Sequence, residues 1–188
     1  PHRSWLPVVA GVAGPAIVVA WYNVARFGSP LDFGYARIPS GATGVVTDEP
    51  WFRDGLLSLS YIPRHLKVMF LDGLTLVGEP PFFRPSLSGA SLILTTPFLF
   101  WALAARDRLT WILWLGVVLV MLPNVTHGSW GFAQFGYRFI LDAVPLLLLL
   151  VGATFRDRIH PLAIATIVIG AVAHLYGLWV INVLQFTG

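Results

Sequence analysis

Cysteine is absent from the 188-residue chain. Disulfide scaffolds, thiolate metal sites and cysteine nucleophiles are therefore excluded. Charge is scarce as well. Only 11% of residues are Asp, Glu, Lys or Arg, against roughly 25% in soluble domains. No basic run or RNA-binding signature accompanies the net charge of +3, so the charge balance does not point to nucleic acid. The serines form no nucleophile elbow, and there is no glycine-rich phosphate loop. No Asp-x-Asp cluster marks a metal site. No cofactor is expected, and a divalent-metal requirement is left open.

What the chain has in quantity is apolar surface. It is 56% hydrophobic, with eight Trp and thirteen Phe, and its mean hydropathy is +0.75. This composition predicts an all-α, polytopic membrane helical bundle, with the aromatic residues suited to interfacial belts. Residues 1–188 are expected to form a single membrane domain of about five transmembrane helices. The predicted spans are Trp5 to Tyr22, Leu87 to Ala105, Leu109 to Leu122, Phe139 to Phe155 and Pro161 to Leu184. Pro15 and Pro145 fall inside spans, where membrane helices tolerate proline. Pro123 is expected to stop the third. His174 stands inside the fifth, either hydrogen-bonded to a neighbouring helix or acting in a proton relay.

Arginine placement gives an orientation. Arg3, Arg106, Arg108, Arg156 and Arg158 fall at the N-terminus and in two tight turns. These positions share one side if the five helices alternate. The positive-inside rule makes that side cytoplasmic. Loops 23–86 and 123–138 and the C-terminus then face outward. The first of these loops alternates aromatic, Gly and Pro residues, as a packed, turn-rich segment does. Within it, Pro63 suits the first turn of a helix. Ile62, Leu66, Met69 and Phe70 recur at helical spacing, which predicts a short helix lying at the outer interface. Pro80-Pro81-Phe82-Phe83-Arg84-Pro85 returns the chain to the second span.

The candidate site residues lie on the outward side. Arg138 and Asp142 stand four apart at the predicted start of the fourth span, where two readings are open. They form a structural ion pair, or Arg138 and the helix N-terminus share an anion, the guanidinium gripping a phosphate in a bidentate way. Arg64, His65, Tyr137 and His127 are the other candidates for a phosphate or substrate site, and each also suits solvated or loop-packing roles. Asn124-Val125-Thr126 matches a glycosylation sequon, a triplet too common to weigh. The outward carboxylates Asp32, Asp48, Glu49, Asp54, Asp72 and Glu79 do not single out a catalytic base.

Three stretches carry a family resemblance. The run Tyr22-Asn23-x-x-Arg26-Phe27-Gly28-Ser29-Pro30 with Gly34-Tyr35 resembles bacterial polytopic glycosyltransferases of the GT-C class, relatives of the protein O-mannosyltransferases and lipid A aminoarabinose transferases. So do Ser58-Leu59-Ser60-Tyr61-Ile62-Pro63-Arg64-His65-Leu66 and Gln134-Phe135-Gly136-Tyr137-Arg138-Phe139 with Asp142 and Pro145. The resemblance implies an enzyme of the bacterial inner (plasma) membrane. It implies a polyprenyl-phosphate-linked sugar as donor, a glycan, lipid or protein acceptor outside, and inversion assisted by a carboxylate base. That base lies in the family's first outward loop, and no matching stretch is present. The chain is therefore expected to be the C-terminal portion of a longer enzyme, with its base upstream of Pro1. An O-antigen polymerase or ligase, and a transporter or flippase segment without transferase activity, are the alternatives.

Overall fold

The computed structural model describes residues 6–41, 43–80, 82–86, 88–131, 134–156 and 158–183. The chain is mostly helical and forms two compact units, Pro1–Arg53 and Asp54–Gly188. The boundary falls inside the expected outward loop 23–86. Arg3, Trp5, Pro81, Leu87, Asp157 and Leu184, which enter the predicted spans, turns and loops, lie outside the described residues.

The first unit is built on helix α1, Leu6–Phe27, which runs five residues beyond its predicted end. The turn that follows accounts for the Asn23, Phe27 and Gly34 of the first motif. The buried Asn23 donates its side-chain amide to the Pro30 carbonyl at 3.1 Å. Gly34 adopts φ +78°, and a Cβ there would meet the Phe27 ring at 2.6 Å. Only glycine satisfies both the left-handed backbone and that approach. Arg37 pairs with Asp32 at 3.4 Å and lies over Phe27. A short hairpin follows, β1 (Pro39–Ser40) with β2 (Gly44–Val45).

The second unit places helix α2, Ile62–Phe70, with Pro63 in its first turn as predicted. Its buried face differs from the expected one. His65, Val68 and Met69 are buried, whereas Leu66 is 44% exposed. The face runs i, i+3, i+4 from His65 into the protein core, with Met69 and Phe70 of the expected face also packed there. Strands β3 (Leu74–Leu76) and β4 (Phe83–Pro85) then pair as an antiparallel hairpin.

The predicted second span does not form a continuous helix. Among the described residues it comprises helix α3, Leu92–Thr95, and a 3-10 helix, Pro97–Ala104. Pro97 disfavours helical backbone at Thr96, which sits at φ −139°, ψ 52°. Helix α4, Thr110–Thr126, passes the expected stop at Pro123. The Thr126 hydroxyl takes the Leu122 carbonyl at its end, at 2.8 Å. The predicted fourth span is shortened to helix α5, Val144–Thr154, because Arg138–Asp142 is a separate 3-10 turn. Helix α6, Pro161–Leu178, opens on His160, whose Nδ1 accepts the Leu162 N–H. A π-helical turn, Trp179–Val183, continues it.

Among the described residues two segments are long and apolar enough to cross a membrane, Val9–Phe27 and Pro161–Asn182. A bundle of about five membrane-crossing helices, and the alternation that assigned inner and outer sides, are thus not shown by the described residues. In the second unit, α5 packs on the 3-10 helix 97–104 and on α4. Val68, Met121, Tyr137, Ile140, Leu147 and Leu150 lie in the shared core. Phe98 stacks on Phe155, and the Trp101 Nε1–H donates to Thr166 Oγ1 on α6 at 3.2 Å.

Candidate functional site

The residues around Arg64 and His65 are assembled by a short backbone ladder. The Ser58 N–H donates to the Thr126 carbonyl at 2.7 Å, and the Gly128 N–H to the Leu56 carbonyl at 2.9 Å. This pairing sets the start of α2 against the loop that leaves α4. Ser58 Oγ caps the turn Leu59–Tyr61 by accepting from the Ser60 N–H. The Tyr61 hydroxyl donates to the Gly55 carbonyl and accepts from the Asp54 N–H, each at 2.8 Å. Both ends of the segment entering α2 are thereby fixed before its side chains reach the site.

His65 is fully buried, and both ring nitrogens are engaged. Nε2 lies 2.9 Å from the His127 carbonyl oxygen. A carbonyl only accepts, so Nε2 carries the proton. Nδ1, 2.8 Å from the Tyr137 hydroxyl, then accepts from it. Burial holds His65 below its ordinary pKa of 6.5, and the charges of Arg64 and His127 push the same way against the opposing His127 hydrogen bond. The neutral tautomer fits both distances. Burial also raises Tyr137 far above the ordinary phenol value, so it remains a donor.

Around this pair the aromatic rings close a box. Phe139 packs against His65, His127 and Tyr137 at centroid distances of 6.2, 6.2 and 5.8 Å. Arg64 lies between two aromatic faces, 4.1 Å from the Tyr61 centroid and 4.5 Å from that of Trp130, and donates to the Gly128 carbonyl. His127 Nδ1 is 3.1 Å from the Ser129 nitrogen and 3.0 Å from its oxygen, so the ring is anchored to Ser129 in either tautomer. Arg64, His65, His127 and Tyr137, up to 73 positions apart between Arg64 and Tyr137, are brought together as the sequence reading grouped them. The arrangement differs from that expectation in one respect. His65 and Tyr137 are occupied inside the knot and present no surface to a ligand.

Arg138 and Asp142 stand at the rim, both exposed. The predicted i, i+4 ion pair does not form. Residues four apart sit about 40° apart around an α-helix but about 120° apart on a 3-10 turn, and Arg138–Asp142 is the latter. Asp142 Oδ2 instead accepts from the Asn124 side-chain amide at 2.8 Å, which also donates to the Phe139 carbonyl at 3.1 Å. The Arg138 guanidinium lies 5.5 Å over Phe139 and makes no ion pair among the described residues. The shared helix N-terminus is lost too, since α5 begins six residues beyond Arg138.

Sequence reasoning passed over Asn124, Phe139 and Trp130. Asn124 was visible only as half of a common sequon, and the two aromatic residues carried no spacing signal. The remaining candidates are dispersed. Lys67 pairs with Asp72 at 3.9 Å. Asp54 holds Ser60, and Glu49 is buried against Ser40. His174 meets Phe135 edge-on at 5.9 Å. No group of three His, Asp or Glu able to hold a metal occurs among the described residues. Chemically, the knot can hold Phe139 rigid and so present the Arg138 guanidinium, with its would-be partner carboxylate held by Asn124. Comparison with protein-family models, curated proteins and solved structures finds no match.

Proposed function

We propose that the chain is the membrane portion of a GT-C-class glycosyltransferase, moving a sugar from a polyprenyl-phosphate donor to an acceptor on the outer face of a bacterial inner membrane. The observation that carries the reading is the Arg138 guanidinium, unmatched by Asp142, at the edge of the buried His65–Tyr137–Phe139 knot. Two helices able to cross a membrane support the lipid setting. Arg138 receives the phosphate oxygens as the sugar–phosphate bond breaks and negative charge gathers on the leaving group. A proton from the acceptor hydroxyl passes to a base that no residue here is assigned to be. His65 and Tyr137 are positioning residues, holding Phe139 and with it the arginine.

A preorganised cation on a leaving group is worth about 3 kcal/mol, on the order of a hundredfold in rate. Arg138→Ala in the full-length protein, supplied with a polyprenyl-phosphate-linked sugar, is expected to lose that factor. Arg138→Lys should recover part of it, since the ammonium keeps the charge but not the bidentate fork. Unchanged turnover and donor affinity in Arg138→Ala would sink the assignment. One observation favours a transporter instead: the apolar stretch broken at Thr96 and Pro97, as transporter helices are broken near the midplane. Solute uptake by vesicles carrying the protein, with no transferase activity, would decide for it.

A further inference from the structure

The hairpin β3–β4 exposes an unusual amount of apolar side chain. Leu76 is 72% exposed, Phe82 52% and Phe83 50%. Phe82 also adopts φ +57°, where Phe27, Phe52 and the other described non-glycine residues do not go. That conformation is costly for an aromatic residue, and here it accompanies a residue that is half exposed. Backbone hydrogen bonds join the described residues on either side of the tip. The Val77 N–H donates to the Phe82 carbonyl at 2.6 Å, and the Phe82 N–H to that of Glu79 at 2.8 Å.

The level of this hairpin along α6 is fixed by a hydrogen bond. The Tyr176 hydroxyl donates to the Phe83 carbonyl at 2.5 Å. Tyr176 lies six residues before the end of the Pro161–Asn182 segment, about 9 Å along a helix axis. The Tyr176 ring contacts that of Trp179 at 6.0 Å. Trp179, three residues from that end, stands where Tyr and Trp gather in membrane-crossing helices, toward the boundary between headgroups and hydrocarbon. Between hairpin and helix runs an open groove of ≈ 430 Å³, lined by Leu74 and Phe83 on one side, Val168, Val172 and Ala173 on the other, and Phe135. Its lining is almost wholly apolar.

We propose that the β3–β4 hairpin is an interfacial membrane anchor: Leu76, Phe82 and Phe83 enter the headgroup–hydrocarbon boundary at the Tyr176–Trp179 level, and a hydrocarbon chain of a bilayer lipid fills the groove against α6. The inference rests on reading α6 as a membrane-crossing helix, not on the transferase assignment. A two-stranded hairpin leaves edge N–H and C=O groups unpaired, so it belongs at the boundary and not at the bilayer centre. From Leu74 to Pro85 its charged residues are one acid, Glu79, and one base, Arg84. Binding is therefore driven by apolar burial, without preference for anionic lipid.

Because these residues include no cysteine, single-cysteine probes are straightforward. Leu76→Cys, Phe82→Cys and, at mid-α6, the exposed Ala171→Cys would carry an environment-sensitive fluorophore in protein reconstituted into phosphatidylcholine vesicles. Leu76 and Phe82 probes should be blue-shifted and lose emission to lipids bearing a quencher near the headgroup, equally when phosphatidylglycerol is added. The Ala171 probe should respond to a quencher deep in the chain. Hairpin probes reached by aqueous iodide and not by lipid quencher, with Ala171 still quenched from within the bilayer, would overturn the anchor and leave the membrane reading standing. An Ala171 probe open to iodide would overturn both. Phe82→Gly suits the left-handed backbone and removes the ring, so it should leave the thermal midpoint undiminished while reducing lipid quenching at Leu76. Unreduced quenching would also count against the anchor.

Discussion

Tyr137 is 1% exposed and hydrogen-bonded to His65, whereas Arg138, the next residue, is exposed and lies over Phe139. On one side of that peptide bond each His65 nitrogen and the Tyr137 hydroxyl are engaged. The rim on the other side carries charge that Asp142 does not answer, its carboxylate being held by Asn124. The difference separates residues that make a place from residues that can act in it. Substitutions in the knot should act on stability first, and substitutions at the rim on ligand binding first.

The sharpest way to break the comparison is His65→Ala. It leaves the buried Tyr137 hydroxyl without its His65 partner and empties the space of the ring, and should cost about 3 kcal/mol in a denaturation measurement. A loss as small as that of a surface substitution would mean that the knot does not organise this unit. The pH dependence comes next. His65 is neutral in the folded protein and has its ordinary pKa of 6.5 when unfolded. Between the lowered folded value and 6.5 the unfolded state binds the extra proton, so stability rises with pH there. The contribution is fully present above 6.5 and is lost as pH falls toward the folded value, at up to about 1.4 kcal/mol per pH unit. That slope should be missing from His65→Ala.

Asn124→Ala is expected to cost about 1 kcal/mol and to free Asp142 to reach toward Arg138. Donor affinity should then fall, in the direction of Arg138→Ala but by less. The smallest stability effect belongs to Arg138→Ala itself, within about 0.5 kcal/mol, despite its large expected effect on turnover. A thermal scan of that variant beside its assay would show whether rim and knot separate as described.

Parts of this arrangement could be read along the chain, and the reasons are local. Pro63 marks the start of α2 because a proline at the first turn needs no distant contact. The long apolar run of α6 is set by composition. The break at Thr96 was hidden, since Pro15, Pro123 and Pro97 look alike in an apolar run. Pro15 and Pro123 lie inside helices, whereas Pro97 begins a 3-10 turn. The grouping of His65, His127 and Tyr137 followed from their assignment to one side of a membrane and a motif likeness, but their burial did not. Whether a histidine at an amphipathic position faces in or out depends on partners 62 and 72 residues away. The Arg138–Asp142 pairing failed because spacing implies contact only after the helix type is known.

Those separations have a consequence for synthesis. His65 leaves the ribosome long before either of its hydrogen-bond partners. At roughly 5–20 residues per second, Tyr137 follows on the order of 10 s later. Throughout that interval the inner face of α2, with Val68 and Met69, has neither its polar nor its apolar partners, and the ladder from Ser58 to Thr126 cannot close. The nascent chain must therefore keep α2 from other surfaces until α4 and its exit loop have emerged. Slowing translation between residues 70 and 126 should lengthen that exposure and raise the fraction captured by chaperones, whereas a pause after residue 142 should not.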